Sequence, residues 1–539
     1  MSRFRKITVI LAAVFITLAL LFSISLVQKK MNSIIIENKL TDTDPIKNAP
    51  PIVAFTTVAL GSFRGILADL LWLRSITLQD EGNYFEMVQL ASWITKLQPR
   101  FAGATAYLAW NMAYNISVTC SSFEDRWRWV QRGIELIRDE AIQYNPADPL
   151  LYKEIGWIYQ HKVGNIMDDA NLYYKNQMAI SLMKAFGGPE PDWKKLAAAP
   201  GNEKDFLEKF PPEDLFWKAL KGSGFNTVAK LEEIFRKEGQ LPEAFTKILN
   251  NSAKAELISD YFRASWLRSV FKLDPSLIYR INQKYGKLDW RLPEAHAIYW
   301  AELGLEKCPK NADISLERMI SQSLKDAFMS GKLLMVDKNN FQSIITVPNM
   351  ELADAVKRTY EEAYEKNKSN SFKSALENFM KDAIVIFYNF GNYSKAQEYL
   401  GDLRKEYPGH HLYRLPLDNF VLREWSEDVQ SSTPKQANDI ISGLIFRSCY
   451  YLAYGDATAA LAHEKLARLV YNRYQKDQSA SLKRTGLAPF NQLKDKVTQA
   501  CLKNFPPALA ELLKAQLKIE QTKTPAPADE KNSKAETVQ

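Results

Sequence analysis

The sequence predicts an all-α protein, a solenoid of helical hairpins with irregular insertions, preceded by one N-terminal transmembrane helix. Three observations predict it. Glycine accounts for only 22 of 539 residues, about 4% against a usual ~7%, and the mix favours helix over sheet. One long uncharged apolar run lies near the N-terminus. Two distant segments share a Gly-Asn-Tyr turn followed by a proline at the same distance. With 46% hydrophobic residues, 27 Phe, 24 Tyr and 12 Trp, the chain can bury a large core, which excludes wholesale disorder.

Residues 1–6 form a short basic tail with Arg3, Arg5 and Lys6. Residues 7–27 are an uncharged run of 21 residues, which as a helix at ~1.5 Å per residue spans about 31 Å, the thickness of a bilayer core. Lys29 and Lys30 close it, and Ser23-Ile24-Ser25 is a poor version of the small-x-small cleavage signal. The expectation is an uncleaved single-pass anchor, with the basic tail in the cytoplasm and the bulk of the chain outside it, in the periplasm. A signal peptide cut near Ser25 is the alternative and gives the same compartment. Residues 28–51, marked by Pro45, Pro50 and Pro51, read as a linker. Residues 52–78 are again apolar, but Arg64, Asp69 and Arg74 recur at five-residue spacing. That argues against a second span and for helices with one polar edge close to the bilayer.

Helical hairpins are expected over residues 52–185 and 261–517. Gly82-Asn83-Tyr84 precedes Pro99 by 17 residues, and Gly391-Asn392-Tyr393 precedes Pro408 by the same 17. In each, a glycine turn ends one helix, an aromatic residue opens the next, and proline forbids continuation in line. These segments resemble the tetratricopeptide repeat (TPR) family. In residues 70–99 the matching positions are Gly82, Tyr84, Ile94 and Pro99, with Met87 in place of the usual Ala. In residues 379–408 they are Ala383, Phe387, Gly391, Tyr393, Ala396 and Pro408. Tyr152, Ile155, Gly156 and Tyr159 look like a further first helix, as do residues 295–304, and Gly455-Asp456 with Ala459, Ala460 and Ala467 looks like a turn and second helix. The resemblance implies stacked antiparallel helix pairs whose groove binds peptides or helices of protein partners. The runs WNMAYNISV, DWRLPEAHAIYW and GLAPFNQL also resemble a group of membrane-anchored bacterial repeat proteins, which supplies no function. Residues 186–260, with Gly187-Gly188-Pro189 and Phe210-Pro211-Pro212, read as an irregular insertion, and residues 518–539, without an aromatic residue, as a disordered tail.

The formal charge of +8 is spread along the chain without a basic block, so no nucleic-acid partner is expected. Cys120, Cys308, Cys449 and Cys501 are isolated in sequence and read as core thiols, with one long-range disulfide left open. Gly222-x-Gly224 lacks a third glycine, Leu333 follows Gly331-Lys332 where a magnesium-binding hydroxyl is needed, and Ala467 stands where His463-Glu464 would need a second zinc ligand. No cofactor, metal site or catalytic residue is therefore expected.

Candidate partner-binding residues are Asn111 and Asn115, which share a helix face at i, i+4 and whose amides each offer a donor and an acceptor to an extended peptide. Arg126 and Arg128 join them, interleaved with Trp127 and Trp129, although those two rings diverge by ~200° on a helix and cannot form one platform. A second polar cluster is Asp289, Arg291, Glu294 and His296. Pro293 opens a helix with Glu294 in its first turn, and a carboxylate beside an imidazole is an acid/base pair in principle. The structural reading is the stronger one: Asp289 caps the helix, Arg291 pairs with an acid, and His296 packs beside Tyr299 and Trp300. His161, Asp168 and Asp169 read as a solvated turn rather than a metal site. The expected function is a non-enzymatic, membrane-tethered scaffold that binds protein partners and organises an envelope-associated complex. The alternative is an envelope enzyme or carbohydrate-binding factor with its site in the insertions around residues 289–296. Exposed Trp or Tyr beside carboxylates in a groove would favour glycan binding; a channel lined by amides and charges would favour the scaffold.

Overall fold

Apolar residues recurring three and four apart along a glycine-poor chain form helices almost throughout the computed structural model. It describes residues 3–37, 63–98, 101–309, 314–335, 339–390, 392–417, 419–421, 423–424, 434–478, 487–505 and 507–523. The fold is all-α apart from one two-stranded hairpin, and the chain divides into two compact units, Met1–Leu67 and Ala68–Gln539.

In the first unit, α1 (Arg3–Glu37) is one uninterrupted helix. From Phe15 to Ile34 its large apolar side chains are exposed on every side rather than gathered into a stripe. Among the described residues no helix is long and apolar enough to cross a membrane; the side chains of residues 3–14, which include the first part of the expected span, lie outside the described residues, as do residues 38–62.

The second unit begins within α2 (Phe63–Asp80), which turns into α3 (Tyr84–Leu97) through Gly82. Gly82 has φ +73°, a left-handed conformation that glycine alone adopts without cost, and the Asn83 amide closes the turn on the Leu78 carbonyl at 2.9 Å. Pro99 and Gly391 lie outside the described residues. The next three helices, α4 (Ala102–Trp110), α5 (Phe123–Glu135) and α6 (Pro149–Trp157), each run on into a π-helical turn, Asn111–Ile116, Leu136–Ala141 and Ile158–Val163. Asp148 caps α6 by accepting from the Leu150 amide at 3.0 Å, and Pro149, which has no amide hydrogen to satisfy, occupies the first turn. After α7 (Asn171–Phe186), the segment read as irregular folds into five short helices, α8 (Trp193–Ala198), α9 (Glu203–Leu207), α10 (Leu215–Gly222), α11 (Val228–Glu238) and α12 (Glu243–Leu249). Phe206, Phe216, Phe235 and Phe245 are fully buried there. Large rings meeting edge to face and face to face, with Phe206 stacked on Tyr261 at 4.0 Å, let a segment without helical repeats bury enough surface to pack.

The chain continues through α13 (Ser252–Trp266), α14 (Pro275–Tyr285), α15 (Pro293–Lys307) and α16 (Ile314–Ser330). Strand β1 (Lys332–Met335) then pairs antiparallel with β2 (Ile345–Val347), Leu333 opposite Thr346. Next come α17 (Ala353–Asn367), α18 (Asn370–Asn389) and α19 (Tyr393–Glu406). The last four helices are α20 (Pro434–Ala453), α21 (Ala457–Gln478), α22 (Phe490–Asn504) and α23 (Pro507–Lys523). One apolar core extends from Leu78 to Val421, and a second, from Ala437 to Leu513, occupies α20–α23. Helix α23 carries into the segment expected to be a disordered tail, because residues 518–523 are mostly good helix formers; residues 524–539 lie outside the described residues.

Gly304 shows how closely the helices of the first core approach. A Cβ there would stand 2.7 Å from the Tyr152 Cβ and 3.1 Å from a Leu316 methyl, so α6, α15 and α16 meet at a point where only glycine fits. Gly304→Ala gains ~1 kcal/mol of helix propensity but is expected to lose about 1–3 kcal/mol to overpacking. A lowered melting temperature checks this, and a raised one would show that the contact yields.

Candidate functional site

One groove in the second unit lies between α4 and α6. Tyr107, Trp110 and Tyr114 stand three and four residues apart along α4 and its π turn, which puts their rings in one row. Tyr107 and Trp110 have ring centroids 6.3 Å apart, and Trp110 and Tyr114 5.4 Å apart. Facing them, Trp157 stacks on His161 at 4.7 Å, and His161 meets Tyr114 at 5.7 Å. Gly103 and Ala106 leave room between the helices, and the groove, about 450 Å³, is also lined by Lys153 and Glu154, an ion pair at 3.0 Å. Burial and the neighbouring Glu154 charge push the phenol of Tyr114, which stacks on the groove residue Trp110, far above its ordinary range. A second groove of about 350 Å³ between α3 and α5 carries Trp93, Arg132, Glu135, Asp139 and Glu140. Aromatic faces beside a few fixed charges suit an extended ligand that offers both apolar and hydrogen-bonding groups.

Of the residues expected to contact partners, Asn111 is fully buried and Asn115 half-buried, and the Asn115 amide donates to Asn111 Oδ1 at 2.5 Å. That one bond joins them across the π turn, and Asn111 Nδ2 is buried without a partner. Arg126 is turned inward: it pairs with Asp169 and, at 3.6 Å, with Asp168, and its Nε donates to the Cys120 carbonyl at 2.9 Å. Arg128 is exposed and pairs with Glu124 at 2.6 Å and Asp125 at 3.0 Å. The turn that follows His161 is not a solvated one. Lys162 and Asp168 form a buried ion pair at 2.5 Å, and Tyr174 donates to Asp168 at 3.2 Å, so this carboxylate is committed to holding α7 against the π turn. Among the described residues no group of three or more His, Cys, Asp or Glu could hold a metal ion.

The cluster at residues 289–296 separates into three roles. Asp289 does not cap α15; the N-cap is Leu292 and makes no side-chain bond. Asp289 instead accepts from the Arg291 guanidinium at 2.6 and 2.8 Å and from the Leu333 amide at 2.9 Å, while Arg291 donates to the Leu333 carbonyl at 2.9 Å. An acid and a base two residues apart thus clamp strand β1, and Arg291 does pair with an acid, as expected. His296 meets Tyr159 at 5.0 Å and Trp290 at 6.3 Å rather than Tyr299 and Trp300. Its Nε2 lies 3.0 Å from the Trp290 carbonyl, which can only accept, so Nε2 carries the proton, and Nδ1 is buried without a partner. Burial, partly offset by that carbonyl, pulls the imidazole down to about 4. His296 is a neutral core residue at physiological pH.

Glu294 belongs to a constellation that no local pattern announces. It faces the interior with Lys175 of α7, Asp326 of α16, and Lys435 and Asp439 of α20, each close enough to act electrostatically on the others. Among the described residues no ion pair joins any two of them. Glu294 is 4% exposed and Lys175 7%; Glu294 Oε2 has no hydrogen-bond partner, and Gln160, on the π turn after α6, bonds Asp326. Burial, reinforced by the like charge of Lys435, pulls the Lys175 ammonium down to about 8. Burial pushes Asp439 up to about 6 against the opposing pull of Lys435 and Lys175, and it also raises Glu294 and Asp326. Burial lowers Lys435, but the carboxylates of Glu294, Asp439 and Asp326 outweigh it and the net shift is upward.

Compared with known proteins, the chain matches no protein-family model and no curated protein.

His296 gives a test of these assignments. Its folded-state pKa, about 4, lies below the ~6.5 of an unfolded imidazole, so the unfolded chain takes up the proton first as pH falls. The His296 contribution is intact above about pH 6.5 and is lost progressively towards pH 4, by on the order of 3 kcal/mol. His296→Gln keeps a donor for the Trp290 carbonyl and does not titrate. The difference in melting temperature between wild type and variant should therefore shrink or reverse from pH 7 to pH 4, whereas a constant difference would assign the acid limb to other groups.

Proposed function

We propose that the protein is a membrane-tethered, TPR-like helical scaffold that captures protein partners on the aromatic face of its N-terminal hairpins and so organises an envelope-associated complex. One observation carries the reading: α3, the start of α4 and the residues around them leave large aromatic side chains in solvent, Phe85 at 81% and Trp93 at 61% exposure, with Phe101 and Tyr107 also exposed. Such a concentration of uncovered rings, next to two grooves, is typical of protein contact surfaces, where buried aromatic anchors supply most of the affinity. The packing of consecutive helices α18 on α19 and α20 on α21 supports the repeat reading. The tether is supported by the apolar surface that α1 exposes on all sides and by the lysines that close it, Lys29 and Lys30. A non-enzymatic role is supported by the dispersal of the one carboxylate–imidazole cluster, whose His296 is occupied with a backbone carbonyl.

A second reading, carbohydrate binding, is favoured by a specific feature: Tyr107, Trp110 and Trp157 stand beside Glu154 in an open groove. That groove lies at residues 103–157, away from the segment at residues 289–296.

The two readings separate in one experiment on the full-length protein in its membrane. Phe85→Ala with Trp93→Ala should reduce crosslinked partner capture roughly tenfold or more, the loss expected when hot-spot rings are removed, with an unchanged melting temperature. Undiminished capture would overturn the scaffold reading, and loss of glycan binding in Trp110→Ala or Trp157→Ala would replace it with the second. For the tether, a reporter fused after Gln539 should be active outside the cytoplasm, and robust cytoplasmic activity would reverse the orientation.

A further inference from the structure

The second core is built by α20–α23, and two of its four helices each carry a cysteine. Cys449 lies on the buried face of α20 and Cys501 on the buried face of α22. Both helices pack directly on one another: Cys449 Sγ stands 3.6 Å from the Thr498 hydroxyl, which precedes Cys501 by one turn of α22. Thr498 and Cys501 share one face of α22, so the two thiols face each other across the helix seam, close enough to act on one another. The remaining cysteines face different neighbours, Cys120 the Ile116 carbonyl at 3.8 Å and Cys308 the ring of Tyr152.

We infer that Cys449 and Cys501 form a disulfide bond that staples α20 to α22 when the chain folds outside the cytoplasm. The inference rests on the extracytoplasmic address proposed above, because thiols persist in reducing compartments and pair in oxidising ones. The chemistry is thiol–disulfide exchange with an external disulfide oxidant. The thiolate of one cysteine attacks the oxidant's disulfide, forming a mixed disulfide and expelling one thiolate. The second cysteine, losing its proton, attacks the protein sulfur of the mixed disulfide and expels the other thiolate. The protein dithiol loses two electrons and two protons, and the oxidant disulfide becomes two thiols. Both sulfurs are almost inaccessible in the folded protein, so the bond forms before α22 docks and is afterwards shielded from reductants.

Peptide mapping of the full chain tests this. Cells expressing it are acid-quenched, free thiols are blocked with N-ethylmaleimide under denaturing conditions, and the digest is read by mass spectrometry. Cys120 and Cys308 should carry the label, and Cys449 and Cys501 should be recovered as one linked pair lacking two hydrogens. Recovery of both as labelled thiols, or linked to other cysteines, overturns the inference. The same purified chain, unfolded and refolded in detergent with oxidised glutathione, shows which premise failed: linkage there with free thiols in cells refutes the address, and free thiols in both refute the pairing. As a second readout, a reductant should lower the melting temperature of the wild type and leave that of the Cys449→Ala, Cys501→Ala double variant unmoved.

Discussion

Five ionisable side chains from four helices, Lys175 and Glu294 buried and Asp326, Lys435 and Asp439 half-buried, meet inside the second unit and limit how those helices can pack. An isolated buried charge costs several kcal/mol even after relaxation; grouping three acids with two lysines reduces that cost, and burial reduces it further by shifting Glu294, Asp326, Asp439 and Lys175 towards their neutral forms. The balance holds only while α7, α15, α16 and α20 keep their positions. Removing one member leaves the remaining charges less well compensated. The tight contacts nearby serve the same end. Gly304 lets α15 approach α6, and the Lys162–Asp168 pair ties α7 to the π turn that presents Gln160 to Asp326.

The same constellation explains how the two apolar cores of the second unit meet. Helix α20 places Ala437, Ile441 and Leu444 in the second core and turns Lys435 and Asp439 towards charges that belong to helices of the first. Arg447, on the same helix, donates to the Tyr388 carbonyl of α18 at 2.8 Å. The seam is thus specified by polarity. An apolar seam would tolerate sliding, whereas charges at fixed positions select one register, at a cost in stability that the separate apolar cores must cover.

What could be read in the sequence was local. Pro293 with Glu294 marked a helix start because a missing amide hydrogen and an acidic first turn suit that position whatever surrounds it. Gly82 marked a hairpin turn because a positive φ excludes most other residues, and the scarcity of glycine elsewhere pointed to helix. The charge constellation had no such signature: its members come from residues 175 to 439, and their meeting is a property of packing alone. The π turns were equally silent, since one slipped hydrogen bond leaves no pattern in residue type. The strand β1 was hidden because its short apolar run, Leu333-Leu334-Met335, suits a helix equally well; it is a strand because Asp289 and Arg291 hold its backbone amide and carbonyl at Leu333. Asp289 was misplaced as a helix cap for the same reason, its true partner lying 44 residues away.

The π turns also bear on binding. A π turn takes one more residue than an α turn, so side chains beyond it are rotated relative to a continuous α-helix. In α4 the change falls between Trp110 and Tyr114, and in α6 between Trp157 and His161, which are the steps at which rings from the two helices come to face one another. Asn111, at the start of the π turn, is buried and accepts from Asn115, while its own Nδ2 is without a partner. A uniform α-helix would have kept both amides available on one face, the arrangement expected from their spacing. The groove offers aromatic surface and one acid–base pair in place of a ladder of amides.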